Sequence, residues 1–410
     1  MGHAPGTIIA LVKPQHAALR MGADRLASEG DACRVVPPSA PALPYGRDVM
    51  RPLLRRILAG TGFRPKRPLI GLDIGSSSVK AVQFTPAGQS YRVAAFATEP
   101  LPPGAVVDGA VIDGPAVSAA LRCLFEHTAF TPAAIAAAIP TQAAIVKRIT
   151  LPAMSARELH EAIAWEAEQQ IPFPLADVQW HYEPLTPPSS AARTVDVLLV
   201  AARRDTIAAL AGVIADAGLR TAVLDVCALA VQRVYWANCT ARDGGAVALI
   251  DIGASATTVS ILVGGHLAFL RHVPLGGRAY TEALQRALQV SFDAAEDLKK
   301  NHDAAPDRHA LEAAQRPTTD VLLDDLRKTF DFFRSNTGAE RIGGLVVSGG
   351  GSLLPGLTYT LGQRLNMPAE PLNPFRAVTG PRPDRASAHP VDPRILAAAV
   401  GLALHRGDRR

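Results

Sequence analysis

The apolar positions of this chain fall into two rhythms. Short apolar runs bounded by glycine or proline alternate with longer stretches in which apolar residues recur every three or four positions. From Pro68 onward this alternation predicts strands interleaved with helices, an α/β fold. Two of the short runs echo one another far apart in the chain. Leu69-Ile70-Gly71-Leu72-Asp73-Ile74-Gly75-Ser76-Ser77-Ser78-Val79-Lys80 is repeated in character by Val247-Ala248-Leu249-Ile250-Asp251-Ile252-Gly253-Ala254-Ser255-Ala256-Thr257-Thr258. Each is an apolar run, then Asp-Ile-Gly, then small residues, then a return to apolar character. The pattern predicts a strand, a tight hairpin turn at the glycine, and a second strand. Two copies predict two duplicated lobes that grip one nucleotide between them.

The remaining pattern fills in the lobes. Val79–Phe84 and Tyr91–Thr98 continue the first hairpin, Pro115–Phe125 reads as a helix, and Ala133–Ile139 as an Ala-rich strand or short helix. A compact block follows. Ala144–Leu151 is a strand and Ser155–Ile171 a helix with a capping box, Ser155 and Glu158, that stops before Pro172. Val178–Tyr182 and Val195–Ala202 are strands, and Thr206–Ala217 is a helix. That first helix of the block carries Glu158, Glu161, Glu166 and Glu168, which fits a solvated face or contact with a basic partner. Thr221–Asp225 is then a strand and Ala228–Tyr235 a helix. After the second hairpin come helices at Tyr280–Gln289, Phe292–Lys300 and Val321–Thr337. A strand at Gly344–Val347 and helices at Leu357–Leu365 and Arg394–His405 close the chain.

Length and composition change this picture little. At 410 residues the chain exceeds the ~250–300 at which single cores stop growing, so more than one domain is expected. With 48% hydrophobic and 19% charged residues the profile is that of an ordered α/β protein. The net charge of +5 is mild, and much of it lies in Arg51, Arg55, Arg56, Arg64, Lys66, Arg67 and the arginines at the tail. Cys33, Cys123, Cys227 and Cys239 are scattered without a CxxC, which fits a reducing cytoplasm and no structural metal. No apolar run is long enough to span a membrane, and no secretory signal opens the chain. Residues 1–67 are unlike the rest, with a Pro-rich stretch at 36–44 that stays extended. Translation starting at Met50 would explain the break, and mass spectrometry of the native N-terminus is the check.

The candidate chemistry follows from three glycine-bearing turns in order. These are Asp73-Gly75-Ser76-Ser77-Ser78, Asp251-Gly253-Thr257 and Ser348-Gly349-Gly350-Gly351-Ser352. Glycine turns bring backbone N–H groups close to phosphate, and hydroxyls add donors. Asp73 and Asp251 are the candidate Mg²⁺ carboxylates, since Mg²⁺ keeps several waters and takes few protein ligands. The Gly349–Gly351 turn would let backbone approach a flat base or ribose. The eleven histidines lack ligand spacing, and there is no Gly-x-Ser-x-Gly, no Walker A lysine loop and no basic-aromatic patch for nucleic acid.

These motifs resemble those of the actin/Hsp70/FtsA ATPase superfamily. Within it the chain is most similar to the PilM family of type IV pilus assembly proteins. The family's two phosphate segments match Ile70–Lys80 and Leu249–Thr258. Its glycine pair before a helix matches Gly276-Gly277, and its Ala-Glu-x-Leu-Lys segment resembles Ala295–Lys300, with Lys299 near the adenosine. Its adenosine loop matches Val347–Ser352. The more diagnostic piece is Leu151-Pro152-Ala153-Met154 through Glu166-Ala167-Glu168-Gln169-Gln170-Ile171-Pro172-Phe173-Pro174-Leu175, the signature of a small inserted subdomain.

The resemblance implies an actin-like (ribonuclease H-like) fold of duplicated lobes with one inserted subdomain. It divides the chain into an extension at 1–67, a first lobe at 68–143 and 220–243 (subdomain 1A), an inserted subdomain 1C at 144–219, and a second lobe at 244–410 (2A and 2B). It implies ATP and Mg²⁺ in the cleft, with Gly75, Ser76, Ser77, Ser78, Lys80, Gly253, Ala254, Thr257, Gly276, Gly277, Lys299, Gly349, Gly350, Gly351 and Ser352 around the nucleotide and Asp73 and Asp251 on the metal. The implied partner is the cytoplasmic N-terminal peptide of PilN, bound near the inserted subdomain. Looser contacts to pilus motor ATPases, self-association, and a cytoplasmic place at the inner membrane held through partners complete the expectation.

For hydrolysis the candidate is Asp225, at the position where several relatives keep a Glu. A shorter Asp predicts slow turnover, and the alternative is that Asp225 simply caps the following helix. Two other functions share the fold. An FtsA-like division protein needs a C-terminal amphipathic helix, and the last residues, Arg406–Arg410, have no apolar face. A small-molecule kinase needs a second substrate pocket with a base, for which the compact insertion leaves no obvious place.

Overall fold

Two five-stranded sheets with the same wiring form the body of the protein. The computed structural model describes residues 69–87, 90–185, 193–238, 245–301, 307–337, 341–378 and 391–405. The extension at 1–67 and the Arg-rich tail lie outside the described residues.

The first sheet starts with β1 (Leu69–Ile74), β2 (Ser78–Ala87) and β3 (Ser90–Pro100), an antiparallel meander. A small ribbon of β4 (Val106–Val107) and β5 (Ala110–Val111) leads to helix α1 (Gly114–Glu126). Strand β6 (Ala134–Ile139) then pairs with β1 in parallel. Its residues from Ile135 onward are all buried, as befits a strand covered on both faces, which resolves the strand-or-helix ambiguity of this Ala-rich run.

The chain next leaves the sheet as β7 (Ala144–Pro152), α2 (Ala156–Gln170), β8 (Val178–Pro184), β9 (Thr194–Arg203) and α3 (Arg204–Asp216). The three strands form their own antiparallel sheet, in the order β7-β9-β8. Ser155 caps α2 through the reciprocal box with Glu158, and Leu159, Ile163, Ala167 and Ile171 pack on Val178, Val195, Val197 and Leu199. This block therefore has a hydrophobic core of its own. The chain returns as β10 (Thr221–Val226), parallel to β6, and helix α4 (Cys227–Asn238).

The second sheet repeats the plan. β11 (Ala246–Ile252), β12 (Thr257–Val263) and β13 (His266–Val273) form the meander. Helices α5 (Gly277–Leu288), α6 (Phe292–Lys300) and α7 (Arg308–Thr337) follow. Strand β14 (Ile342–Ser348), helix α8 (Leu357–Leu365) and strand β15 (Ala369–Pro371) come next, with β14 parallel to β11 and β15 parallel to β14. The orders are β3-β2-β1-β6-β10 and β13-β12-β11-β14-β15, so each lobe has the same strand sequence and the same pairing senses.

Two elements differ from expectation. Helix α7 begins at Arg308 rather than Val321 and runs through Pro317. An interior proline costs about 3 kcal/mol. Here burial on both sides of it, by Leu311 before and by Leu322, Leu323, Leu326, Phe330 and Phe333 after, outweighs that cost.

The second correction concerns the boundary at 244–410. The last helix, α9 (Ala397–Ala403), packs on β1 and α4 and so belongs with the first lobe. The reason is close approach at two glycines. A Cβ on Gly71 of β1 would fall 2.0 Å from the Ala399 carbonyl oxygen, and one on Gly401 would fall 1.9 Å from that of Ala230. Helices α4 and α9 thus share a core with residues of both sheets, including Leu72, Leu249 and Val346. Among the described residues no helix is long and apolar enough to cross a membrane.

Candidate functional site

The two hairpins bring their carboxylates into one electrostatic neighbourhood. Asp73, at the end of β1, stands opposite Lys80 of β2, whose Nζ lies 3.1 Å from its Oδ2. Asp251, at the equivalent place on β11, stands opposite Thr258 on one side and Ser348 on the other. That parallel register delivers the Ser348 hydroxyl to Asp251 Oδ1 at 2.7 Å. Burial pushes the Asp251 carboxyl above its usual range; the Ser348 hydrogen bond opposes this, the charge of Asp73 adds to it, and Lys80 offsets it in part. Asp73, Lys80 and Asp251 therefore feel one another across the gap between the lobes. Cys227, the first residue of α4, also lies in this field: burial and then the charges of Asp73 and Asp251 push its thiol well up.

The turns themselves are built alike. Gly75 N–H donates to the Ser78 carbonyl at 3.1 Å, and Gly253 N–H to the Ala256 carbonyl at 2.8 Å. Each bond closes a tight loop. Among the described residues the N–H groups of Ser76, Ser77, Ala254 and Ser255 have no hydrogen-bond partner. The tips also meet, because the Ser76 hydroxyl donates to Ser255 Oγ at 3.1 Å.

The Gly276-Gly277 pair docks α5 onto the second turn. Gly277 N–H donates to the Gly253 carbonyl at 2.9 Å and Arg278 N–H to that of Ala254 at 2.8 Å. Thr257, fully buried, pins the same junction by donating to the Leu275 carbonyl at 2.7 Å. A Cβ on Gly276 would lie 2.6 Å from Ala256 N, so this glycine serves close packing. Gly277 is buried, and a Cβ on it would be in ordinary contact with the Gly253 carbonyl oxygen, Gly351 Cα and the Lys299 amine, each at 3.7 Å. The second turn, the Gly349–Ser352 loop and Lys299 therefore converge at Gly277.

Lys299 is not a free cation. Its Nζ donates to Glu296 Oε2 at 2.6 Å, Thr281 Oγ1 at 2.7 Å and the Gly277 carbonyl at 3.1 Å. Burial pulls its amine below the usual lysine range, an effect that Glu296 only partly opposes. Burial alone would raise the Glu296 carboxyl, but hydrogen bonds from Lys299 and Thr281 leave it lowered.

In the third turn Gly349 has φ +85°, the left-handed region that favours glycine. Its Cβ would fall 2.4 Å from the Ile252 carbonyl oxygen, and that of Gly351 would fall 2.3 Å from Ile252 Cγ2. The sequence reading gave these glycines to approach by a base. The structure gives their first reason as tight packing of the loop on the second hairpin, while a Cβ on Gly350 would only just touch Ile395 Cγ2, at 4.0 Å. Ser352 is buried and donates to the Gly349 carbonyl at 2.7 Å.

Asp225 has structural partners of its own. It is fully buried; its Oδ2 accepts from Arg233 Nη2 at 2.7 Å and its Oδ1 from Val226 N–H at 2.7 Å. Arg233 in turn donates to the Gly401 carbonyl at 2.8 Å. The chain from Oδ2 through Arg233 to Gly401 ties β10, α4 and α9 together, so the carboxylate is not a free group of the cleft. Nor does it cap α4, since the Ala228 N–H donates to Thr141 Oγ1.

The residues present fit a nucleotide with a hydrated cation. Two carboxylates, one of them half-buried and pushed up, make a place where a divalent ion relieves repulsion, and Mg²⁺ needs only one or two such ligands. Among the described residues no group of three or more His, Cys, Asp or Glu side chains is arranged for a metal, which leaves this pair as the candidate. Sequence reasoning places Ser255, Ser348 and Glu296 within the motifs but gives them no role of their own, and it misses Thr281. Glu296 had a signal: its i,i+3 spacing to Lys299 puts both on one helix face. Ser348 becomes a partner of Asp251 only through the β11–β14 register, which sequence does not display.

Comparison with known proteins agrees with this architecture. A family model described as type IV pilus assembly protein PilM matches residues 71–407. Among solved structures, a PilM–PilN type IV pilus biogenesis complex superposes with a TM-score of 0.73 at 31% identity, covering 83% of this chain and 98% of that one. The ethanolamine utilization protein EutJ from Carboxydothermus hydrogenoformans gives a TM-score of 0.51 at 17% identity over 83% of this chain and 90% of its own, a likeness of fold. Among curated proteins, cell division protein FtsA of Bacillus subtilis (strain 168) is 28% identical over 131 residues, 27% of this chain. That match spans only 30% of FtsA's own length. The α/β fold of duplicated lobes is thus the actin-like fold.

Proposed function

We propose a function from one premise: this chain belongs to the PilM family of type IV pilus assembly proteins. It acts as an ATP-binding scaffold of the pilus assembly platform and captures the N-terminal cytoplasmic peptide of PilN. The observation that carries this reading is the likeness, over 83% of this chain and 98% of the other, to a chain solved in a PilM–PilN complex. The paired hairpins supply the nucleotide site. In this reading the protein is cytoplasmic and reaches the inner membrane through its partners.

Within the cleft the chain's own groups divide the work. The unpaired amides of Ser76, Ser77, Ala254 and Ser255, with the serine hydroxyls, offer donors from both lobes to one set of phosphate oxygens. Asp73 and Asp251 hold a cation or its waters, and Lys80 neutralises Asp73 until that happens. Glu296, Lys299 and the Gly349–Ser352 loop form the adenosine end. When bound, the Mg²⁺ ion of Mg-ATP would supply the positive charge that offsets the repulsion between Asp73 and Asp251. With Asp225 locked to Arg233, turnover is slow or absent, and nucleotide state works through lobe closure rather than through rate.

Isothermal titration of Mg-ATP onto the full chain tests the site. Saturable, Mg²⁺-dependent binding that Asp251→Ala loses without unfolding supports the assignment. Retained affinity in that variant would sink it.

A further inference from the structure

The loop Gly349–Ser352 is held at both ends by one residue from outside its lobe's sheet. Arg394 lies in the 3₁₀ turn Pro393–Leu396, immediately before α9. Its backbone carbonyl accepts the Gly349 N–H at 3.1 Å. Its guanidinium Nη1 donates to the Ser352 carbonyl at 3.2 Å. The rest of the guanidinium is fixed by a fork to Asp392, Nε to Oδ1 at 2.9 Å and Nη2 to Oδ2 at 2.7 Å. The Arg394 N–H also donates to Asp392 Oδ1 at 2.9 Å, so backbone and side chain are set by one carboxylate. A bidentate fork of this kind fixes orientation as well as supplying energy.

The position matters because of what continues from it. Three residues later α9 begins, and α9 is seated on Gly71 of β1, the strand that ends in Asp73. The base-end loop of the second lobe is thereby tied to the phosphate-end strand of the first. Within the loop, the Ser352 N–H and Oγ both bond back to the Gly349 carbonyl, and Gly349 and Gly351 rest on Ile252.

We propose that Arg394 is a positioning residue for nucleotide recognition, holding the Gly349–Ser352 loop in the shape that receives the adenosine end. This rests on the nucleotide reading of the cleft. The Arg394 guanidinium bonds to Asp392 and to the Ser352 carbonyl, and none of these bonds goes to the Asp73 or Asp251 turn, so its influence falls first on the loop and the nucleoside it receives. Asp392 is part of the same device, because it sets the guanidinium plane.

Competition against a fluorescent ATP analogue tests this, with ATP and inorganic tripolyphosphate as competitors, both with Mg²⁺. Arg394→Ala is expected to weaken ATP by about tenfold or more, the scale of losing hydrogen bonds from a charged donor. Tripolyphosphate affinity stays unchanged. Arg394→Lys, which keeps one donor and loses the fork, falls between. Asp392→Asn gives the same selective loss in a milder form and serves if Arg394→Ala does not fold. An unchanged ATP affinity, or equal losses for ATP and tripolyphosphate, overturns the proposal. A wild-type chain that binds neither competitor instead overturns the nucleotide reading on which it rests.

Discussion

Ser76 and Ser255 are 179 residues apart in the chain, and their hydroxyl oxygens are 3.1 Å apart across the two lobes. Each sits at the tip of a turn closed by its glycine, so this one bond joins the duplicated hairpins where they face each other. A double-mutant cycle of Ser76→Ala and Ser255→Ala is expected to show a coupling of about 0.5–1.5 kcal/mol in urea unfolding without nucleotide. Additive single effects would mean that the tips do not touch in solution.

Asp251 sets function against stability. Burial raises its folded carboxyl above the ordinary 3.8, so the folded chain holds a proton that the unfolded chain releases. In that window the folded state binds more protons, and stability falls as pH rises through it, levelling off above the folded value. Asp251→Asn lacks this loss and still accepts the Ser348 hydroxyl. The variant is expected to be more stable than wild type at neutral pH without ligand, and to lose Mg²⁺-dependent ATP binding. Thermal midpoints of both proteins from pH 4 to pH 7, in ~one-unit steps, check the sign. A wild type that gains on the variant over that range contradicts it.

Asp225 gives the opposite result. Removing one partner of a buried ion pair leaves the other charge uncompensated, so Asp225→Ala is expected to cost about 3–5 kcal/mol in denaturant unfolding. Replacing both members, as Asp225→Leu with Arg233→Met, recovers much of that loss. Full stability with lost ATP turnover in Asp225→Ala would instead return this carboxylate to a catalytic role.

The inserted block should fail separately from the lobes. Ile171 is buried in its private core, so Ile171→Asp places a charge among Leu159, Ile163 and Val178. Limited proteolysis is expected to cut within 144–219, with capture of a PilN peptide lost and Mg-ATP binding largely kept. Equal losses of both would argue against a separate partner surface.

The duplicated hairpins were legible because a central strand must be apolar on both faces and its turn must contain glycine, a pattern that survives in the sequence. The capping box of α2 was legible for the same reason: Ser155 and Glu158 act within one turn. What escaped was long-range. The pairing of Asp225 with Arg233 and Gly401 depends on how α4 and α9 cross, and nothing local in Thr221–Asp225 announces it. The placement of α9 with the first lobe hides likewise in two glycines, Gly71 and Gly401, that meet the backbone carbonyls of Ala399 and Ala230. The glycines at 349 and 351 were read as room for a ligand, whereas their nearest obstacle is Ile252 of the same protein.

The central claim is that this cleft belongs to a scaffold that captures PilN. Fluorescence anisotropy of a labelled PilN N-terminal cytoplasmic peptide, titrated with the full chain loaded with Mg-ATP, tests it most directly. The account predicts saturable binding that Ile171→Asp abolishes and Asp251→Ala weakens. No binding to a folded, ATP-loaded chain would contradict it, leaving a nucleotide-binding actin-like protein with a different partner.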